Sequence, residues 1–226
     1  LFLGHGSPMN AIEENQFVRG FREISKKIPT PNAILCISAH WFTKGTFVTS
    51  GEIQKTIHDF YGFPPELFAV EYPAKGNPEL AKETAELLAP TSVIETESWG
   101  LDHGAWSVIR HLYPEAQIPV IQMSIDYTQP AQYHFDLAKK LQKLREKGIL
   151  IIGSGNVVHN LRLIDWKNIN TVGAGWDWAI EARAKTNEWI LDGNFQNLIH
   201  FEKQGTALQN AIPTPDHYLP LIYTLG

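Results

Sequence analysis

The chain has 226 residues, 43% hydrophobic and 19% charged, which supplies a sizeable core and excludes global disorder. Its 19 Lys and Arg against 24 Asp and Glu give a formal net charge of -5, which argues against nucleic acid as a partner. No apolar run approaches the ~18 residues of a membrane span, and at ~100–200 residues per domain the length fits one α/β domain over residues 1–226. The single cysteine, Cys36, excludes an intrachain disulfide and fits a reducing cytoplasm. Nine histidines beside that one cysteine turn attention to nitrogen-ligand metal chemistry.

In chain order, short apolar runs bounded by Gly, Pro or polar residues predict strands at Leu1–Leu3, Ala33–Ser38, Phe47–Thr49, Pro119–Ile125 and Gly148–Ile152. Helices are predicted between them. Asn77-Pro78-Glu79 reads as an N-cap, a proline in the first turn and an acidic start to a helix that runs to about Leu88. From Pro130 to Lys147, Tyr133, Leu137, Leu141 and Leu144 recur at helical spacing, with Gly148 as the stop. A third helix spans Trp176 to Leu191, with Gly193 just beyond it. This alternation predicts an α/β fold with helices on both faces of a central sheet. The sheet is mostly parallel or mixed, because the stretch from Phe47 past Pro64-Pro65 breaks the βαβ rhythm. The chain opens in a strand with no Met, and we expect it to be truncated there.

Three apolar runs end in a polar cluster with a histidine: Gly4-His5-Gly6-Ser7-Pro8, Ser38-Ala39-His40-Trp41 and Gly153-Ser154-Gly155-Asn156-Val157-Val158-His159. Open α/β sheets bind ligands outside the carboxyl ends of their strands, so imidazoles far apart in sequence can converge there on a cation. One histidine after a strand is ordinarily a turn or core residue; three are hard to explain by packing. The neighbouring glycines let backbone approach closely. His58, His103 and His217 sit in loop-like contexts, and Pro213, Pro215 and Pro220 stiffen the last of these. His111, His134 and His200 read as surface or core-edge residues. A dinucleotide loop fails because Val158 stands where a third glycine is required, and Ser7 lacks the flanking pattern of a hydrolase nucleophile. Cys36, inside an apolar strand, reads as an inert core thiol.

Taken in order, Leu3-Gly4-His5-Gly6-Ser7-Pro8-Met9, Ser38-Ala39-His40-Trp41-Phe42, Ile57-His58-Asp59-Phe60-Tyr61-Gly62-Phe63-Pro64, Gly100-Leu101-Asp102-His103-Gly104-Ala105-Trp106, Ser154-Gly155-Asn156-Val157-Val158-His159-Asn160-Leu161 and Thr214-Pro215-Asp216-His217-Tyr218-Leu219-Pro220 resemble the class III extradiol ring-cleaving dioxygenases. This is the LigB-like superfamily, and the resemblance extends to its bacterial and plant 4,5-DOPA extradiol dioxygenases. It covers almost the whole chain and implies that the sequence is truncated at its far end too. It also implies that His5, His40 and His217 hold a divalent metal, with His159 as acid/base and near enough to be a ligand itself. His103 is then the substrate-side histidine, with Asp102 fixing its tautomer. The wider class uses two histidines and a carboxylate on Fe(II), whereas an all-histidine set suits Zn(II) at least as well. Fe(II) is expected for turnover and Zn(II) in an isolated sample.

The implied partners are a small catechol and O2, and the implied reaction opens the ring beside its two hydroxyls, as with L-DOPA at the 4,5 position. Trp41, Tyr61 and Trp106 are expected to wall the pocket. Two other functions stay open from the residues alone. One is a zinc-dependent hydrolase, for which three histidines and an open position suffice; the other is a non-catalytic metal-binding or interaction protein on the same fold.

Overall fold

The computed structural model describes residues 1–169 and 171–226. Its elements are β1 (Phe2–Gly4), α1 (Gln16–Ser25), β2 (Ala33–Thr43), β3 (Thr46–Thr49), α2 (Pro65–Phe68), α3 (Pro78–Leu87), β4 (Val93–Thr96), α4 (His103–Leu112), β5 (Val120–Asp126), α5 (Ala131–Arg145), β6 (Ile149–Gly155), α6 (Asp177–Leu191), α7 (Phe195–Ile199), α8 (Thr206–Ala211) and α9 (Leu219–Leu225). One six-stranded sheet has the order β1-β6-β2-β5-β3-β4. β1, β6, β2 and β5 run parallel; β3 pairs antiparallel with β5 and carries β4 parallel on its outer side. The sheet is therefore mixed, with the departure from parallel at the predicted irregular stretch.

The central strands read as unbroken apolar runs because both of their faces are covered. Leu35 and Ile37 of β2, with Ile121 and Met123 of β5, pack against Leu141 and Leu144 of α5 and Ile222 of α9. On the opposite face Ile34, Cys36, Val120 and Ile152 meet Phe21 of α1 and Ala105, Trp106 and Ile109 of α4. Each fully buried aliphatic side chain contributes roughly 1.5–3 kcal/mol, so these two layers, more than helix propensity, hold the sheet. Cys36 is a fully buried free thiol, as the sequence implied.

The structure corrects several sequence expectations. β2 continues past Ser38 to Thr43, and its pairing with β5 slips between Ile37↔Met123 and Phe42↔Ile125. His40 thus lies in a bulged part of a strand, and such bulges re-aim side chains. His103 is not in a loop but opens α4, because the Asp102 carboxylate caps that helix by accepting from the Ala105 N–H at 3.1 Å. His134 is not at the surface: it is fully buried in α5, its Nδ1 2.9 Å from the Tyr223 hydroxyl. β4, α1 and α4 were not anticipated. Among the described residues no helix is long and apolar enough to cross a membrane.

Candidate metal centre

Four histidines from four parts of the chain meet at the carboxyl edge of the parallel strands. His5 follows directly on β1, and its N–H reaches the Gly155 carbonyl at the end of β6 at 3.3 Å. His40 comes from the bulge of β2, and His103 from the first turn of α4. His217 lies between α8 and α9, its carbonyl accepting from the Asn156 N–H at 2.8 Å. Two glycines permit these approaches. A Cβ on Gly155 would stand 2.2 Å from the His217 carbonyl oxygen, and one on Gly104 would stand 2.4 Å from Ser38 Oγ and 2.8 Å from His40.

The ring centroids of His5, His40 and His217 are 5.1, 5.2 and 5.0 Å apart, a nearly equilateral triangle. Imidazole nitrogens bind divalent ions at about 2.0–2.1 Å, which puts three tetrahedrally disposed ring centroids roughly 5 Å from one another. The triangle fits a metal ion. Donor atoms of His159, Asp216 and His217 lie within 4.8 Å of one another, as do those of His5, His40 and His103. The latter set is less regular, with centroids at 5.1, 5.7 and 3.9 Å, and a shared carboxylate accounts for its shortest side.

The hydrogen bonds decide where the lone pairs point. Ser154 Oγ donates to the Gly104 carbonyl at 2.5 Å and so accepts from His5 Nδ1 at 3.0 Å. Asp59 takes two histidines at once: Oδ1 accepts from the His103 Nδ1 at 3.0 Å and from its backbone N–H at 2.8 Å, and Oδ2 lies 3.3 Å from His40 Nδ1. Asp216 accepts from His217 Nδ1. Each Nδ1 is thereby engaged, which leaves Nε2 as the ring nitrogen open to a metal. His5 Nε2 and His40 Nε2 face each other at 3.3 Å. Burial, then repulsion from the other histidines, holds His5 far below its ordinary value and His40 at about 3. Both are neutral, so two lone pairs oppose one another, an arrangement that a cation between them would relieve.

His159, half-buried, stacks on His217 with centroids 3.4 Å apart and planes 11° from parallel. Burial, then the neighbouring His217, lowers it to about 4, so it too is neutral. Burial works against ionisation of Asp59 and Asp216, but their histidine hydrogen bonds more than offset it, leaving Asp216 at about 2. Asp102 behaves differently. It is fully buried, accepts from Ser38 Oγ at 2.6 Å and from the Gln122 amide, and is pushed up to about 6 by burial and then by the Asp59 charge.

The carboxylate holding His103 is therefore Asp59 rather than the adjacent Asp102, which ties β2, β5 and α4 together instead. Sequence reading quoted Asp59 but gave it no role; its only local signal was its place after His58. His58 Nε2 bonds the Val70 carbonyl at 2.9 Å and stays outside the cluster. Trp41 and Trp106 are core residues, and Tyr61 is 91% exposed. None of the three lines the cleft of about 540 Å³ beside His159, whose walls are Asn160–Leu163, Pro213 and Thr214.

The family model for the catalytic LigB subunit of aromatic ring-opening dioxygenase matches residues 1–226. A 4,5-DOPA dioxygenase extradiol of Escherichia coli (strain K12) is 46% identical over 229 residues, covering 100% of this chain and 83% of that protein. One from Beta vulgaris is 37% identical over 234 residues, covering 100% of this chain and 85% of its own. The crystal structure of an uncharacterized protein from Escherichia coli K12 superposes with a TM-score of 0.80 at 40% identity, covering 99% of this chain and 86% of that one. With the family matched from end to end and full-length relatives well above 30% identity, the chain belongs to the LigB family of aromatic ring-opening dioxygenases.

Proposed function

We propose that the protein is an extradiol dioxygenase that opens a catechol such as L-DOPA between C4, which bears a hydroxyl, and C5, with both atoms of O2 entering the product. C4 becomes a carboxyl and C5 an aldehyde, giving a seco product that can cyclise towards betalamic acid. The observation that carries this reading is the triangle of His5, His40 and His217, with the Nε2 atoms of His5 and His40 facing each other at 3.3 Å, set in a chain of this family. These three residues would hold a divalent metal, Fe(II) for turnover, which lowers the catechol's first pKa and passes electron density to O2. A lone, buried cysteine suits a reducing cytoplasm.

The remaining work falls to the chain's own groups. His159 is neutral and beside His217, in the form that takes the second hydroxyl proton and later returns it to the leaving oxygen. Asp59 fixes the His103 ring, leaving its Nε2 to face the substrate. Asp59, Asp102 and Asp216 are all engaged by donors from the protein, so none is free to activate a water for hydrolysis. This ranks a zinc hydrolase below the dioxygenase. Protein loaded anaerobically with Fe(II) should consume O2 with L-DOPA and give a yellow ring-opened product. Absence of turnover across a catechol panel, with iron shown to be bound, overturns the reading.

A further inference from the structure

We propose that the cleft beside His159 selects catechols carrying an anionic side chain, and that Arg162 is the residue that binds the anion. This rests on the catechol reading above and names the substrate class. At about 540 Å³ the cleft is within the range that holds a ring with a short side chain. His159, the proposed acid/base group, is part of its wall beside Asn160 to Leu163, which places the ring's hydroxyls at His159 and the substituent along that segment.

Among the described residues Arg162 is the one cationic residue in that wall, and no Asp or Glu lines the cleft. Its backbone position is fixed relative to His159. Asn160 Oδ1 accepts from the Arg162 N–H at 3.2 Å, Asn160 Nδ2 donates to the Asn210 carbonyl at 2.8 Å, and the His159 N–H donates to the Ala211 carbonyl at 2.8 Å. Residues 159–162 are thus pinned to the end of α8. Among the described residues no carboxylate pairs with the Arg162 guanidinium, whereas Arg19 and Arg22 both find Glu14. Asp59 and Asp216, beside the proposed chemistry, are each engaged by a histidine. Leu161, 66% exposed, and Leu163, 43% exposed, flank it with apolar surface for an aliphatic linker. A guanidinium presents a planar fork that a carboxylate matches with two parallel hydrogen bonds, which an ammonium cannot reproduce.

The test compares two catechols that differ in the terminal carboxylate, 3-(3,4-dihydroxyphenyl)propionate and 4-ethylcatechol, titrated calorimetrically into Zn(II)-loaded protein. Arg162→Gln is exposed and away from the core, so it should fold normally. It should weaken the propionate about 10- to 100-fold while leaving 4-ethylcatechol within twofold. Arg162→Lys should restore part of the loss, and Arg162→Glu should turn the preference towards 4-(2-aminoethyl)catechol. With Fe(II), the loss should fall on KM for the propionate more than on kcat. Equal weakening of both catechols, or none, overturns the Arg162 assignment and leaves the ring-opening reading standing. Failure of the wild-type protein to bind either catechol overturns both.

Discussion

Asp59→Asn isolates the contribution of one carboxylate that holds two imidazoles. In the wild-type protein Oδ1 receives two donors from His103, at 2.8 and 3.0 Å, and Oδ2 faces His40 Nδ1 at 3.3 Å. The amide keeps the shape but loses the charge and one acceptor. If its oxygen stays with His103, its NH2 confronts His40 Nδ1. His40 can then satisfy that donor only by moving its proton to Nε2, the atom that opposes His5. The lone pair proposed to bind metal is lost, or the ring turns. Outer partners of metal-bound histidines are worth about 10- to 100-fold in affinity, which is about 1.4–2.8 kcal/mol. The assay is a competition titration of Zn(II) against a chromogenic chelator, with Co(II) absorption reporting the coordination shell. Asp216→Asn, which disturbs only His217, provides the comparison. At saturating Fe(II) it should recover more of its kcat than Asp59→Asn, because only the latter also releases His103. Metal affinity of Asp59→Asn within twofold of wild type, in a protein that still melts cooperatively, would refute the reasoning.

Gly155→Ala places a Cβ 2.2 Å from the His217 carbonyl, so the loop bearing His217 must move. Bound metal per chain should fall together with the melting temperature, and full stoichiometry would count against His217 as a ligand. His134, fully buried beside Tyr223, is lowered to about 4, chiefly by burial, against an unfolded value of 6.5, with the Asp126 charge partly opposing the shift. Below pH 6.5 the unfolded chain binds a proton that the folded one refuses, so the folded state loses about 2 kcal/mol by pH 5 from this group alone. His134→Gln should remove that part of the acid sensitivity, which denaturant unfolding at pH 7 and pH 5 will read as a smaller drop than in wild type. Zn(II) or Fe(II) at a hundredfold excess over Kd should raise stability by about 2.7 kcal/mol through mass action; a melting temperature indifferent to metal contradicts the centre.

Much of this was legible in the residues because burial leaves a simple pattern. β2 and β5 are covered on both faces and β6 is buried along most of its length, so their apolar runs announced strands. The rule that ligands gather at strand carboxyl ends then selected His5, His40 and His159. What stayed hidden depends on partners far away in sequence. The bulge that carries His40 exists only in the register with β5. α4 is buried almost all round, so it shows no polar face, and the Asp-His-Gly at its start reads as a turn. His134 shares a helical stretch with Tyr133 and Leu137 and looks peripheral until Tyr223, 89 residues later, is brought against it. Asp59 was the most consequential omission. Its partner His103 is 44 residues away, and Asp102, adjacent in sequence, offered a nearer and misleading candidate.

These omissions share a physical cause. A histidine's residue type says that it can bind a metal, but which nitrogen is free depends on what the other nitrogen meets. Here the Nδ1 of His5 meets a serine from β6, those of His40 and His103 share an aspartate from a loop, and that of His217 meets its own neighbour. Three different local arrangements therefore engage the Nδ1 of four rings and leave the Nε2 side of each for a metal. His5 and His40, held neutral by burial, repel through their facing Nε2 lone pairs and cannot escape by taking up protons. The sheet, the two close-approach glycines and the carboxylates of Asp59 and Asp216 keep the rings in place against that repulsion. A cluster of this kind is costly as packing alone and becomes favourable when a cation sits among the nitrogens, which is why its geometry points to metal chemistry more strongly than any one of the histidines does.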